Sequence, residues 1–254
     1  IVVSFIVFLF VKDRPRGSTE PELSSVGNLE RYKFSWKTVG GLFKKKSLII
    51  LFLQGFIGVF PWNVITYWFF DYLKTERGYS DMQTLMTMVP AVIILAAGYP
   101  VGGALGDRLF KKTPKGRVIV GAAGVAIGAV FLWITMKIPI DAHLPFAIML
   151  FATAFFIPFA SPNVLSSFYD VTEPEIRATT NAVQNFVETA GSALAPLMAG
   201  IIADKSTLGN AILLICVGAW AICFAFFIFA GRFIPKDIAD LREKLRERAV
   251  ESAL

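Results

Sequence analysis

Long apolar stretches alternate with short charged connectors along this chain. No Asp, Glu, Lys or Arg occurs between Lys46 and Asp71, between Asp81 and Asp107, or between Asp141 and Asp170. A helix of about 20 apolar residues crosses the hydrocarbon core of a bilayer. The pattern therefore predicts an all-α polytopic membrane protein. Six complete spans are predicted at about 47–73, 84–106, 118–137, 144–168, 178–203 and 208–231.

The same pattern divides the chain into four segments. Residues 1–11 are apolar, but eleven residues of helix extend only about 16 Å. We interpret them as the tail of a preceding transmembrane helix whose beginning is missing from the sequence. Residues 12–46 are predicted to be a cytoplasmic linker whose last third is a short amphipathic segment. Residues 47–231 form the predicted six-helix bundle, and residues 232–254 form a predicted cytoplasmic amphipathic helix.

Capping patterns mark the start of two of these spans. Ser80 with Gln83, and Thr172 with Glu175, have the spacing of a capping box, in which two side chains satisfy free N–H groups at a helix start. Both are predicted N-termini.

Charge is sparse and unevenly distributed between the two sets of connectors. Only 17% of residues are charged, compared with about 25% in soluble domains. Of the 25 Lys and Arg residues, all but Lys74, Arg77, Lys137 and Lys205 lie in one alternating set of connectors. Because basic connectors stay on the cytoplasmic side, we expect the C-terminus to be cytoplasmic and the protein to lie in the plasma membrane. The net charge of +6 is then explained by the bilayer, and no nucleic-acid partner is expected.

The connector after the second span combines glycine with basic residues, in the stretch "YPVGGALGDRLFKKTPKGRVIVG". Gly98, Gly102 and Gly106 are four residues apart, so they share one helix face and allow another helix to approach closely. Asp107 lies near the end of the predicted helix, where the helix dipole disfavours a carboxylate. We therefore expect Asp107 to point at Arg108, at Arg117 or at the N-terminus of a neighbouring helix. The alternative is a basic loop that only sets membrane orientation.

This stretch resembles the loop signature of the major facilitator superfamily (MFS), and the matching residues are Gly103, Leu105, Asp107, Arg108, Gly116 and Arg117. In that family the signature lies between helices two and three, with a weaker copy between helices eight and nine. The order of the spans assigns this copy to the second position. The stretch "NAVQNFVETAGSALAPLMAGIIAD" is also similar to the family's eleventh helix.

The resemblance implies that the chain is the C-terminal six-helix half of an MFS transporter, comprising helices 7–12, with a faint similarity to spinster-type transporters. It implies a partner, namely the missing N-terminal six-helix half, and rocking of the two halves around a site at the bilayer midplane. It also implies a cytoplasmic gate formed by Gly103, Asp107, Arg108 and Arg117.

Glu188 is the main candidate for a proton or substrate pathway, because it lies near the middle of a predicted span. A carboxylate at that depth is costly unless it faces a cavity or a partner. The residues Asn181, Gln184, Asn185 and Ser192 recur at helical spacing around it, so they form one polar stripe. Burial favours the neutral carboxyl, which permits reversible protonation. The alternative is a structural carboxylate bonded to a helix of the missing half.

Other pathway candidates lie on the first and fourth complete spans. Gln54, Asn63 and Tyr67 are candidate substrate contacts, with Trp62 and Trp68 as apolar walls. Asn163 is a further candidate ligand group. Prolines weaken helices at defined points, and the predicted hinge positions are Pro61, Pro100, Pro158 and Pro162.

No enzyme function is predicted from the sequence. It contains one histidine, no hydrolase or metalloprotease motif, and two cysteines that read as packing residues. We therefore expect no cofactor and no metal. The predicted function is secondary active transport of a small organic solute by alternating access, with proton coupling through Glu188 as one mode. Two alternatives remain at this stage: a membrane assembly subunit that does not transport, and a lipid scramblase or lysolipid transporter.

Overall fold

The computed structural model describes residues 35–251. The predictions for residues 1–11 and for most of the linker, 12–34, lie outside the described residues. Within 35–251 the fold is all-α, as predicted, and contains no strand. The helices are α1 (Trp36–Leu42), α2 (Lys46–Thr75), α3 (Asp81–Phe110), α4 (Gly116–Lys137), α5 (His143–Phe156), α6 (Ala160–Val171), α7 (Arg177–Lys205) and α8 (Leu208–Glu251). Two 3-10 turns, Ile157–Phe159 and Pro174–Ile176, precede α6 and α7.

Six helical segments in the described part of the chain are long and apolar enough to cross a membrane. They correspond to the six predicted spans, and most extend a few residues beyond the predicted ends. The fourth span is discontinuous, because the 3-10 turn Ile157–Phe159 separates α5 from α6. Pro158 lies in this turn, where its missing N–H and fixed φ disfavour a continuous α-helix.

The two predicted capping boxes have different outcomes. At the start of α3 the Ser80 hydroxyl accepts the Gln83 N–H and the Gln83 side chain accepts the Ser80 N–H, so this prediction is confirmed. The Thr172 prediction is wrong. The Thr172 hydroxyl donates to the Phe168 carbonyl, and Pro174 starts a 3-10 turn that delays the start of α7 to Arg177. Proline at the first position of that turn fixes its backbone angle and shifts the start of the helix.

The bundle is organised around two central helices, α2 and α4. α2 packs against α7 and α8, while α4 packs against α3, α5, α6 and α8. The largest fully buried side chains are aromatic, and they include Phe69, Phe146, Phe168 and Phe227. Glu76, just after α2, accepts hydrogen bonds from the Leu208 and Gly209 N–H groups, so its carboxylate meets the positive end of α8.

The glycine face of α3 is packed as predicted. A Cβ at Gly98 would collide with Phe155 and Pro158, one at Gly102 with Phe159, and one at Gly106 with the Asn163 side chain. The 3-10 turn and its flanking helices therefore lie directly against the α3 backbone. Small residues permit this close approach between helices.

The last helix is longer than a bilayer is thick. α8 comprises 44 residues, which corresponds to about 66 Å of helix. Its C-terminal part buries Ile238, Leu241 and Leu245, so the apolar face predicted there packs against the protein. In the same part of α8, Lys244 and Arg248 form ion pairs with the connector that precedes α7.

Candidate functional site

A cavity of about 390 Å³ opens between α2, α6, α7 and α8, and we call it the central groove. Its polar lining combines amides, hydroxyls and one carboxylate. These residues are Gln54, Tyr99, Ser161, Asn181, Gln184, Asn185 and Glu188. The apolar lining includes Trp62, Val125, Phe168 and Trp220. An apolar lining with a few convergent polar groups is typical of small-molecule sites.

Glu188 lies in the central groove with a single polar contact. Its Oε1 accepts a hydrogen bond from Gln184 Nε2 at 2.5 Å. In the described part of the chain, no Lys, Arg or His forms an ion pair with Glu188. The side-chain oxygens of Gln54 and Gln184 are buried there without a hydrogen-bond partner. Unpaired buried polar groups are costly, so the groove retains capacity for a bound ligand or water.

The polar stripe meets α2 at a close contact. A Cβ at Gly55 would collide with the Gln184 amide, and one at Gly191 would collide with the Phe56 carbonyl. Glycine on each helix therefore brings α2 and α7 together, so that Gln54 and Glu188 line the same cavity. Of the predicted stripe, Asn181, Gln184, Asn185 and Glu188 line the groove.

Three other candidates on α2 do not line the groove, and two of them, Asn63 and Trp68, bond to α7. Asn63 Nδ2 donates to the Val59 carbonyl at 2.9 Å and to Ser192 Oγ at 3.0 Å. Trp68 Nε1 donates to the Pro196 carbonyl at 3.2 Å. The Tyr67 side chain is exposed. Their contact with a substrate stays a prediction.

Asn163 lies at the interface between α6 and α3. It is buried, and its Nδ2 donates to the Gly102 carbonyl at 2.9 Å and to the Phe159 carbonyl at 2.8 Å. Both side-chain donors are thereby used within the protein, and Asn163 does not line the central groove. Its role in ligand binding stays a prediction, whereas its role in helix packing is observed.

The four predicted hinge prolines occupy different settings. Pro158 lines the central groove and touches Gly98, whereas Pro162 lies beside Gly103. Pro61 and Pro100 lie inside the continuous helices α2 and α3. Only at Pro158 does the α-helix give way to a 3-10 turn. A mid-helix 3-10 segment often marks a hinge.

Around the basic connector lies a group of paired charges that we call the clamp, formed by Asp107, Arg117 and Asp170. Arg117 Nη2 lies 2.9 Å from Asp107 Oδ1, and Arg117 also pairs with Asp170. The Arg117 guanidinium lies 4.2 Å from the centroid of the Phe110 ring. The Arg117 and Asp170 side chains are 17% exposed, whereas the Asp107 side chain is 60% exposed.

Of the three partners predicted for Asp107, the structure shows Arg117. Arg108 lies outside the clamp: its side chain is exposed and forms no ion pair with the described residues. Asp170 was missed by the sequence analysis, although one signal was available. It is the first acid after Asp141, at the end of a long uncharged span, where a carboxylate needs a partner.

No group of three or more His, Cys, Asp or Glu residues in the described chain could hold a metal ion. Cys216 and Cys223 are buried, and their thiols are free.

Comparison with known proteins identifies the class. The profile of the Major Facilitator Superfamily matches residues 1–196, which is most of the chain. The chain therefore belongs to the Major Facilitator Superfamily, and it is a multi-pass membrane protein.

Among solved structures, the chain is similar to a bacterial homologue of the human lysosomal transporter Spinster, crystallised in an inward-facing and unoccupied conformation. The TM-score is 0.63 and the sequence identity is 16%, so the likeness concerns the fold alone. The match covers 93% of this chain but only 57% of that structure. The chain thus spans little more than half the length of the protein it matches. Comparison with curated proteins finds no match.

Proposed function

We propose that this chain is the C-terminal half of a secondary active transporter, in which the central groove contributes half of the substrate site. The observation that carries the proposal is Glu188, a carboxylate with one amide contact and no ion pair among the described residues. Glu188 is the twelfth residue of the 29-residue helix α7, so it lies near the bilayer midplane. A solitary intramembrane carboxylate marks a substrate, ion or proton pathway.

The composition of the groove supports an organic solute as the substrate. Trp62, Phe168 and Trp220 offer apolar contact, while Gln54 and Asn181 offer hydrogen bonds. The second half of the site is expected from an N-terminal six-helix bundle, because transporters of this kind bind substrate between their two halves.

We propose that alternating access uses two features, the discontinuous fourth span (α5 and α6) and the clamp. The Ile157–Phe159 turn joins α5 and α6 beside the groove, so bending there changes the lining at Pro158. The prolines at 61, 100 and 162 are proposed as further bending points. The clamp, together with Gly103 and Arg108, is proposed to close the cytoplasmic side. With the positive charge concentrated at that end, we assign the C-terminus to the cytoplasm and the protein to the plasma membrane.

The test is coupled uptake by the complete transporter in proteoliposomes that contain a pH-sensitive dye. A panel of labelled organic anions, organic cations, sugars and lysophospholipids is supplied with and without a proton gradient. We expect Glu188→Gln to abolish gradient-driven accumulation while leaving exchange of substrate across the membrane. The matched control is Asp204→Asn, which removes an exposed carboxylate from the far end of the same helix.

The outcomes separate this proposal from its alternatives. Unimpaired coupled uptake in the Glu188→Gln protein would contradict the coupling role. Movement of labelled phospholipid that needs no gradient and is unchanged by Glu188→Gln would indicate a scramblase. A protein that transports no member of the panel but co-purifies with the same membrane partner before and after substitution would be an assembly subunit.

A further inference from the structure

A second cavity, of about 450 Å³, lies at the seam between α4 and α8 and shares no residue with the central groove. We call it the seam groove. It is lined by Lys115, Val118, Ile119, Phe227, Ile228, Phe229, Gly231 and Arg232. Nothing in the transport mechanism proposed above uses it.

The seam groove has an apolar body. Val118 and Phe227 are buried and form its floor. Ile119, Ile228 and Phe229 are 46%, 59% and 54% exposed. Exposed side chains of this kind at membrane depth are suited to contact with acyl chains, since apolar burial is favourable and needs no directional partner.

The seam groove also has a basic end. Lys115 immediately precedes α4, and Arg232 follows Leu208 on α8 by 24 residues, or about 36 Å of helix. That length matches the bilayer core plus part of one headgroup layer. Both side chains are exposed, and neither forms an ion pair or a side-chain hydrogen bond with residues 35–251. The neighbouring Arg117, by contrast, is paired twice within the clamp.

We propose that the seam groove binds one anionic phospholipid, with its phosphate between Lys115 and Arg232 and an acyl chain along Ile119 and Ile228. Charge complementarity identifies the occupant. Two bases without an ion pair among the described residues lie at headgroup level, at one end of the apolar channel that Ile119, Ile228 and Phe229 line. Basic pockets between transmembrane helices on the cytoplasmic side bind anionic headgroups. The exposed apolar channel below the bases favours a lipid over a free phosphate.

Lipid retention by the purified full-length protein tests this proposal. The protein is equilibrated in detergent with equal amounts of phosphatidylglycerol and phosphatidylcholine, and bound lipid is counted by native mass spectrometry. We expect one retained phosphatidylglycerol. Replacing both bases in Lys115→Gln/Arg232→Gln should weaken its binding about tenfold, since each base near an anionic lipid contributes measurably to affinity. The matched control Lys111→Gln/Lys112→Gln removes two exposed bases of the same connector and should change binding by less than about twofold.

A second variant separates the apolar channel from the bases. Ile119→Trp fills the channel at a half-exposed position and keeps both charges, so it should also reduce lipid retention. An excess of glycerol phosphate should not displace the lipid. Equal retention of the two lipids, unchanged retention in the Lys115→Gln/Arg232→Gln protein, or displacement by glycerol phosphate would each overturn the proposal.

Discussion

The central groove and the clamp both contain carboxylates, but they differ in how those carboxylates and the polar groups beside them are paired. In the clamp, Arg117 donates to two carboxylates and stacks on Phe110. In the groove, Glu188 has one amide contact, and the Gln54 and Gln184 oxygens are buried without partners. Buried polar groups in proteins are nearly always paired. The groove therefore keeps unpaired polar atoms among the described residues, as the proposed ligand site requires, whereas the clamp is a saturated contact between protein elements.

The same distinction separates two buried amides, Asn163 and Gln54. Asn163 places its Nδ2 group on two backbone carbonyls, so it fastens α6 to α3. Gln54 lines the groove, where its oxygen has no partner. Residue type alone does not separate helix packing from the proposed ligand binding. We expect hydrogen bonding of the polar atoms to separate them, and the predictions below test this.

The largest expected effect comes from Arg117 in the clamp. Arg117→Gln leaves the Asp170 carboxylate, which is 17% exposed, without the guanidinium that is hydrogen-bonded to it. Removing one partner of a buried pair destabilises a protein by about 3 kcal/mol, so we expect a clear fall in the midpoint of thermal unfolding in detergent. The control Arg108→Gln removes an exposed, unpaired cation of the same connector and should shift the midpoint little.

A double variant shows whether the loss comes from the unpaired carboxylate. Arg117→Gln/Asp170→Asn should recover most of the stability lost in Arg117→Gln. If Arg108→Gln is as destabilising as Arg117→Gln, the clamp is not a saturated contact and the comparison fails.

The next largest change in stability is expected from two neighbouring glycines on α3. Gly102→Ala places a Cβ against the Phe159 backbone, which cannot move aside as a flexible side chain could. Overpacking of this kind destabilises by about 2 kcal/mol. Gly103→Ala meets only Pro162 Cβ at 3.6 Å, an ordinary contact, and alanine favours helix. We expect thermal unfolding to separate the two variants, with Gly103→Ala at or above the wild type. Equal midpoints would show that α3 and the turn are less tightly packed than described.

The paired amides provide a smaller but more direct comparison. Asn163→Leu removes two hydrogen bonds at a packed interface and should lower the free energy of unfolding by about 1.5 kcal/mol. Gln54→Met removes an amide whose oxygen has no partner, so its effect should be less than about 0.5 kcal/mol. Transport should respond in the reverse order, with Gln54→Met the more impaired. Denaturation and uptake measured on the same preparations provide both results.

Much of the fold could be predicted from the sequence, because hydrocarbon thickness fixes the length of each span. The glycine face of α3 was also predictable, since residues four apart lie on the same face of an α-helix. The polar stripe around Glu188 follows from the same helical period, and four of its members line the groove.

The features that the sequence did not predict share a physical cause. Asp170 lies 53 residues from Arg117, so no local pattern joins the two. The orientation of Asn163 depends on the Ile157–Phe159 turn, because a 3-10 turn rotates the following helix relative to a continuous α-helix. The predicted cap at Thr172 fails because Pro174 begins a second 3-10 turn. Long-range pairing and breaks in helical phase are the features that periodicity does not encode.

The smallest expected effect concerns the ion pairs between α8 and the connector before α7. It shows how the contribution of an ion pair to stability depends on its burial. Arg248 joins α8 to Glu173 and Glu175, and the Glu175 side chain is 11% exposed. Lys244 pairs with Glu173 but is 55% exposed.

Exposed ion pairs contribute about 0–1 kcal/mol to the free energy of unfolding and weaken with salt. We therefore expect Arg248→Gln to lower the free energy of unfolding by about 1 kcal/mol, and Lys244→Gln to have a smaller effect that high salt abolishes. The Arg117–Asp170 pair of the clamp is on average more buried than either of these pairs. Raising the salt concentration should therefore bring the stabilities of these two variants closer to wild type while leaving the Arg117→Gln deficit. A deficit in Arg117→Gln that also vanishes in salt would place the clamp among the exposed pairs and remove its contrast with the groove.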